Sequence, residues 1–178
     1  NGPNIPQLGY KTFPYFTLIS YTRAIHTPME QKRFKDQNKR LTEFRKEVLV
    51  VCPACRKQAV ASVDYENEKS RLLCPSCGYN KEKTTEARLF GIRSPVEVAA
   101  NLYFGAELWL VHPFKGDVIW AYNYAHLDYL ERYIAASLRE HKDRSHFTLL
   151  EKLPKFYHDA KNRTALLKLI NKMRKRSL

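Results

Sequence analysis

Four cysteines constrain this chain more than any other feature. They stand as two pairs, Cys52-Pro53-Ala54-Cys55 and Cys74-Pro75-Ser76-Cys77-Gly78, with eighteen residues between them. Two residues between cysteines let the backbone curl so that both sulfurs face one point. The N–H groups of the same curl then face the thiolates and offset their charge. Gly78 permits the positive φ that closes such a turn. Eighteen residues suffice for a hairpin that returns the second pair to the first. Four thiolates at about 2.3 Å would make a closed tetrahedral site for one zinc ion. The alternative is two disulfides. No secretory leader pattern accompanies the cysteines, which favours the metal. A closed site keeps no open position for water, so the expected Zn2+ is structural. One departure stands out: Arg56 occupies the place that Gly78 has in the second pair. That turn is therefore expected to be strained or differently shaped.

The rest of the chain divides around this unit. Residues 1–47 read as an aromatic N-terminal arm followed by a basic amphipathic helix. Thr27-Pro28-Met29-Glu30 combines an N-cap residue, Pro at the first helical position and a Glu to complete a capping box. The helix is expected to run to about Glu47, with Phe34, Leu41, Phe44 and Val48 on one side and Lys32, Lys35, Lys39 and Lys46 on the other. Residues 48–87 hold the cysteine unit, with strands expected in "AVASVDY", "SRLL" and "YNKEK" around a polar turn "ENEK". Residues 88–146 are expected to form a short helix from Ser94-Pro95-Val96-Glu97, a β-hairpin around "PFKG", and a helix capped by Asn123 that reaches about His141. Residues 147–178 form a basic segment ending in a helix from near Asn162, with Leu166, Ile170 and Met173 on its apolar side. The expected class is α+β: a small β unit between an N-terminal helix and a C-terminal hairpin with helices.

Charge indicates partners. The formal net charge is +13. Residues 1–47 carry 9 basic and 4 acidic side chains, and residues 147–178 carry 9 and 2, whereas residues 88–146 balance at 7 and 7. Positive charge concentrated at both ends suits an anionic partner, either nucleic acid or an acidic protein. The lysines at helical spacing, Lys32, Lys35, Lys39 and Lys46 and then Lys161, Lys168, Lys172 and Lys175, are the candidate contacts to phosphates. Trp109, Phe114, Trp120, Tyr122 and Tyr124 are the candidate anchors of a protein interface. They support a second expectation, a docking module such as an adaptor or an immunity-type protein. No apolar run approaches the ~18 residues of a membrane helix. A cytoplasmic setting and no membrane partner are expected.

No enzyme is expected, because no acid, base and nucleophile converge in the sequence. Asn123-x-x-His126-x-Asp128 contains residue types that catalysis uses, but Asn123 suits an N-cap and Asp128 suits the first turns of a helix. His112-Pro113-Phe114-Lys115-Gly116 repeats the Pro and Gly of the second cysteine pair. A lysine ammonium has no free lone pair and one His does not hold zinc alone, so this segment reads as a turn.

The cysteine unit, with its two CPxC turns, resembles the zinc-ribbon family, whose members place such turns on a small three-stranded sheet. "YFGAELWL", "WAYNYAHLDYLERYIAASLRE" and "LPKFYHDAKNR" resemble segments of uncharacterised bacterial proteins that contain a transcription-factor-type zinc ribbon. That resemblance covers roughly residues 40–176 and implies a bacterial zinc protein with no established activity. Members of the group carry one or two cysteines in the turn where this chain has Pro113, Phe114 and Lys115, so the resemblance implies no second metal site here.

Overall fold

The computed structural model describes residues 33–89, 92–140 and 148–176. In chain order the strands and helices are β1 (Arg33–Lys35), β2 (Glu47–Val51), β3 (Gln58–Asp64), β4 (Lys69–Leu73), β5 (Asn80–Thr84), β6 (Glu86–Leu89), β7 (Ile92–Pro95), β8 (Leu110–Phe114), β9 (Asp117–Ala121), α1 (Tyr124–Ala135), β10 (Leu138–Glu140), the single turn α2 (Lys155–His158) and α3 (Arg163–Lys175). Short 3-10 turns occupy Leu41–Phe44 and Ala100–Phe104. The architecture mixes helix and sheet, as expected. Its centre is a four-stranded antiparallel sheet in the order β2-β3-β4-β5. Three two-stranded pairings complete it: β6 with β7, β8 with β9, and β1 with β10 in parallel. No helix among the described residues is long and apolar enough to cross a membrane.

Alternation explains the sheet. In β3 every second residue is buried, namely Ala59, Ala61 and Val63, and in β4 Ser70 and Leu72 are buried. These side chains share one face with Val48 and Val50, and the 3-10 turn Ala100–Phe104 covers that face. β2 differs, because Val48 to Val51 are all buried. Val48 and Val50 point into the sheet's own core, whereas Leu49 and Val51 join a second core with Leu110, Ile119, Leu127, Leu130, Ile134, Leu166 and Ile170. A strand covered on both faces loses the polar alternation of a one-sided strand. β2 is thus the wall between two cores.

Three expectations about elements are corrected. First, the helix from residue 27 is absent over its described part: residues 33–35 are a strand, 41–44 a 3-10 turn and 47–51 a strand. The cause is local competition. The Asp36 carboxylate accepts from Asn38 N–H at 2.9 Å and from Tyr129 Oη at 2.6 Å, and Asn38 takes φ 53°. Side-chain bonds to nearby N–H groups favour turns over helix. The predicted helix start, with Lys32 and the aromatic arm, lies outside the described residues. Second, Ser94-Pro95 ends β7 and starts no helix. Val96 N–H bonds Thr85 O at 3.0 Å, Tyr103 Oη donates to Val96 O, and Arg45 donates to Glu97 O at 3.0 Å. The backbone there is committed to other partners. Third, α1 stops at Ala135 and does not reach His141. Arg163 donates to Ile134 O at 3.0 Å and to Ala136 O at 2.9 Å, which satisfies terminal carbonyls, and the chain leaves as β10. Leu138, within the span expected to be helical, is an exposed strand residue.

The hairpin β8–β9 forms as expected, with a tighter turn. Lys115 has φ 48° and Gly116 φ 86°. Two successive left-handed residues make the turn that matches the twist of paired strands. Lys115 Nζ donates to Asn162 Oδ1 at 2.8 Å, which pins the turn to the C-terminal segment. Pro113 and Phe114 belong to the strand, and Phe114 is buried with its ring 5.4 Å from Phe156.

Candidate metal centre and basic surfaces

The two cysteine turns share one backbone design. Arg56 N–H bonds Cys52 O at 3.0 Å, and Gly78 N–H bonds Cys74 O at 3.0 Å. Cys52 N–H bonds Lys57 O and Cys74 N–H bonds Tyr79 O, each at 2.8 Å. Arg56 has φ 61° and Gly78 φ 74°. Arg56 therefore adopts the left-handed conformation that glycine supplies without penalty, so the turn is the same shape and carries the strain of a side chain there. Space is not the constraint at position 78, because an added Cβ would meet nothing within 4 Å.

β2 delivers Cys52, β4 delivers Cys74, and the turns after them deliver Cys55 and Cys77. All four sulfurs lie within 4.8 Å of one another. Cys52 Sγ is 3.7 Å from Cys77 Sγ, and Cys55 Sγ is 3.6 Å from Cys74 Sγ. Bonds of 2.3 Å in a tetrahedron give sulfur separations of about 3.8 Å, so these two edges fit. No two of the sulfurs are joined as a disulfide. Cys52 and Cys74 are fully buried, Cys55 is half-buried and Cys77 is exposed. Burial pushes the Cys74 thiol up, but the N–H groups of Cys77 and Ser76 and the thiols of Cys55 and Cys52 outweigh it and bring Cys74 down to about 7. This cluster can hold one metal ion. His112 and Lys115 lie outside it, and among the described residues no other group of His, Cys, Asp and Glu has the geometry of a metal site.

The lysines do not form two helical stripes. Lys35 is in β1 and lines an open groove of about 940 Å³ against α1 together with Arg33, Lys39 and Arg132. Lys39 is half-buried with Nζ 5.3 Å from the Phe44 ring centre. Lys46 is elsewhere, with Nζ 6.0 Å from the Tyr65 ring centre. The C-terminal set is more regular: Lys168, Lys172 and Lys175 are exposed on α3 opposite Leu166, Ile170 and Met173, and Lys161 is exposed just before it. The aromatic candidates divide. Trp109 and Phe114 are core residues, and Arg176 lies over the Trp109 ring at 4.2 Å. Trp120, Tyr122 and Tyr124 are half-buried, and Tyr124 Oη bonds Gln58 Oε1 at 3.3 Å.

Asn123 is the N-cap of α1, accepting His126 N–H at 2.9 Å. Its amide also donates to Phe44 O at 3.0 Å and Glu47 O at 2.7 Å. Asp128 is taken by Arg174, which also pairs with Glu131. Neither residue is presented for catalysis. His126 was legible only as a residue type. It is a buried group set between Phe44, distant in sequence, and the rings of Trp120 and Tyr122 just before α1. No family model, curated protein or solved structure matches this chain.

Proposed function

We propose that this chain is a non-enzymatic zinc-ribbon protein that holds one structural Zn2+ and binds nucleic acid through the phosphate backbone. Four thiolates of tetrahedral spacing favour zinc over harder ions. Cys52, Cys55, Cys74 and Cys77 would hold it, and bound zinc would supply cross-linking of the sheet and no reaction chemistry. The thiols release protons as they bind, so the metal's binding energy becomes folding energy of the sheet.

One observation carries the nucleic-acid part. The ion pairs Arg45 with Glu97, Arg56 with Glu107, Arg71 with Glu82, and Arg174 with Asp128 and Glu131 all use an arginine. Lys161, Lys168, Lys172 and Lys175 are exposed, and no described carboxylate pairs with them. Those arginines take five carboxylates, and the four lysine ammonium groups face the solvent. Such charges attract phosphates without reading sequence.

The test is a salt series of binding to single-stranded DNA, duplex DNA and RNA. Affinity for duplex should fall on a log–log plot with a slope of about −0.9 per phosphate contact. Changing Lys161, Lys168, Lys172 and Lys175 together to Gln should flatten the slope by about 3.6 and leave the fold intact. Absence of binding to all three nucleic acids at 50 mM salt would refute the proposal.

A further inference from the structure

We propose that the groove between β1 and α1 receives the backbone of a single-stranded nucleic acid. The assignment rests on the phosphate binding proposed for this chain and adds to it a place and a strand preference. The groove has a volume of about 940 Å³ and extends along α1 from Ala125 to Ala135. Ten helical residues span about 15 Å, more than one phosphate group needs.

The cations of this groove are held in place by the fold. Phe34 packs edge-on against Tyr129 and Tyr133, each at 5.5 Å, and so seats β1 beside α1. Alternation along β1 then turns Arg33 and Lys35 outward, two residues and about 6.6 Å apart. That is the scale of the step between consecutive phosphates on an extended strand. Lys39 and Arg132 share one ring: Lys39 Nζ lies 6.0 Å and Arg132 Cζ 5.8 Å from the Tyr129 ring centre. Such contacts orient a cation without neutralising it. The ring itself is buried, and its hydroxyl donates to Asp36 at 2.6 Å. Asp128 and Glu131 line the same groove, and Arg174 of α3 pairs with both, which offsets their charge. Shape selects the strand. A channel walled by a helix and a strand admits one backbone, whereas a duplex presents its phosphates on a wide convex cylinder. The convex face of α3, with Lys168, Lys172 and Lys175, suits the duplex instead. Phe34, the aromatic residue of the lining, is buried, so bases find no ring to stack on and binding is indifferent to sequence.

The zinc-loaded full chain is titrated with labelled oligothymidylate and with a duplex of equal length, each across a salt series, and fluorescence anisotropy is read. Lys35→Gln combined with Arg132→Gln removes two exposed cations of the groove. This variant should flatten the single-strand slope by about 1.4, from two contacts at about 0.7 each, and leave the duplex slope unchanged. If it fails to fold, Lys35→Glu, a single change at an exposed position, should weaken single-strand binding alone. Equal changes in both slopes, no change in either, or a chain that binds duplex but no single strand overturns the groove and leaves the C-terminal lysines standing. Failure to bind any nucleic acid removes the phosphate binding on which the groove depends. Polyglutamate that displaces the oligonucleotide at equal concentration of charge would overturn the assignment and give the groove to an acidic protein.

Discussion

At the residue scale, His126 converts burial into a dependence on pH. Burial pushes its pKa down to about 4, against an ordinary value near 6.5. The folded protein therefore holds this ring neutral where the unfolded chain would already protonate it. Stability from this residue is complete above pH 6.5 and is lost as pH falls towards 4. Between pH 7 and pH 5 the loss should be about 2 kcal/mol. Denaturant unfolding at the two pH values measures it. His126→Gln removes the titration, so the difference between the two proteins should shrink as pH falls. A constant difference would show that another group carries the effect. The contrast with the cysteines explains what sequence reveals. Cys52 and Cys55 act through the curl that joins them, so spacing alone predicts the site. His126 acquires its character from Phe44, Trp120 and Tyr122, and no spacing within α1 encodes those neighbours. Arg56 lies between these cases: the substitution was visible, but only the matching bonds of the two turns show that the backbone shape survives it.

At the scale of elements, one side chain ties three pieces of the fold together. Asn123 caps α1, and its amide holds the carbonyls of Phe44 and Glu47, at the end of the 3-10 turn and the start of β2. Loss of the cap should cost about 1 kcal/mol. Each carbonyl left without its donor should add about 1 kcal/mol more. Asn123→Ala is therefore expected to lose about 3 kcal/mol, and Asn123→Asp about 2, because a carboxylate keeps the cap but cannot donate. Urea unfolding of both variants checks the order; equal losses would mean that the cap contributes nothing, and an Asn123→Asp variant as stable as the unaltered chain would mean that the amide contributes nothing. The cap itself was legible, since Asn before an apolar periodic run is a local signal. The ties to residues 44 and 47 were not, because they join positions nearly eighty apart. The same distinction accounts for the misread segments. The amphipathic pattern at 33–47 is real, with Phe34 and Phe44 both buried, but a strand, a left-handed Asn38 and a 3-10 turn bury them as well as a helix would. Periodicity indicates which side chains go inward; it does not count the backbone groups that Asp36 and Tyr129 claim.

For the molecule as a whole, β2 decides how far the metal's influence travels. Its even residues, Val48 and Val50, belong to the core beside the cysteines, and its odd residues, Leu49 and Val51, belong to the core of the hairpin and helices. Its backbone reaches the second unit directly: Leu49 N–H bonds Tyr122 O at 2.7 Å, Trp109 N–H bonds Leu49 O at 2.9 Å, and Val51 N–H bonds Glu107 O at 2.8 Å. Cys52 follows β2 without a break, so an ion held there anchors the strand at one end. Removing it should release the wall from both cores. Both tryptophans lie on the hairpin side, and Trp109 is buried there. Chelation of the metal, or Cys74→Ser, should therefore lower the melting transition seen by tryptophan fluorescence by the same amount as that seen by far-ultraviolet circular dichroism. Metal content by mass spectrometry should fall from one ion per chain to none. A fluorescence transition that stays in place while the sheet melts would show that the two cores fold independently, with β2 a boundary between them and not a coupling.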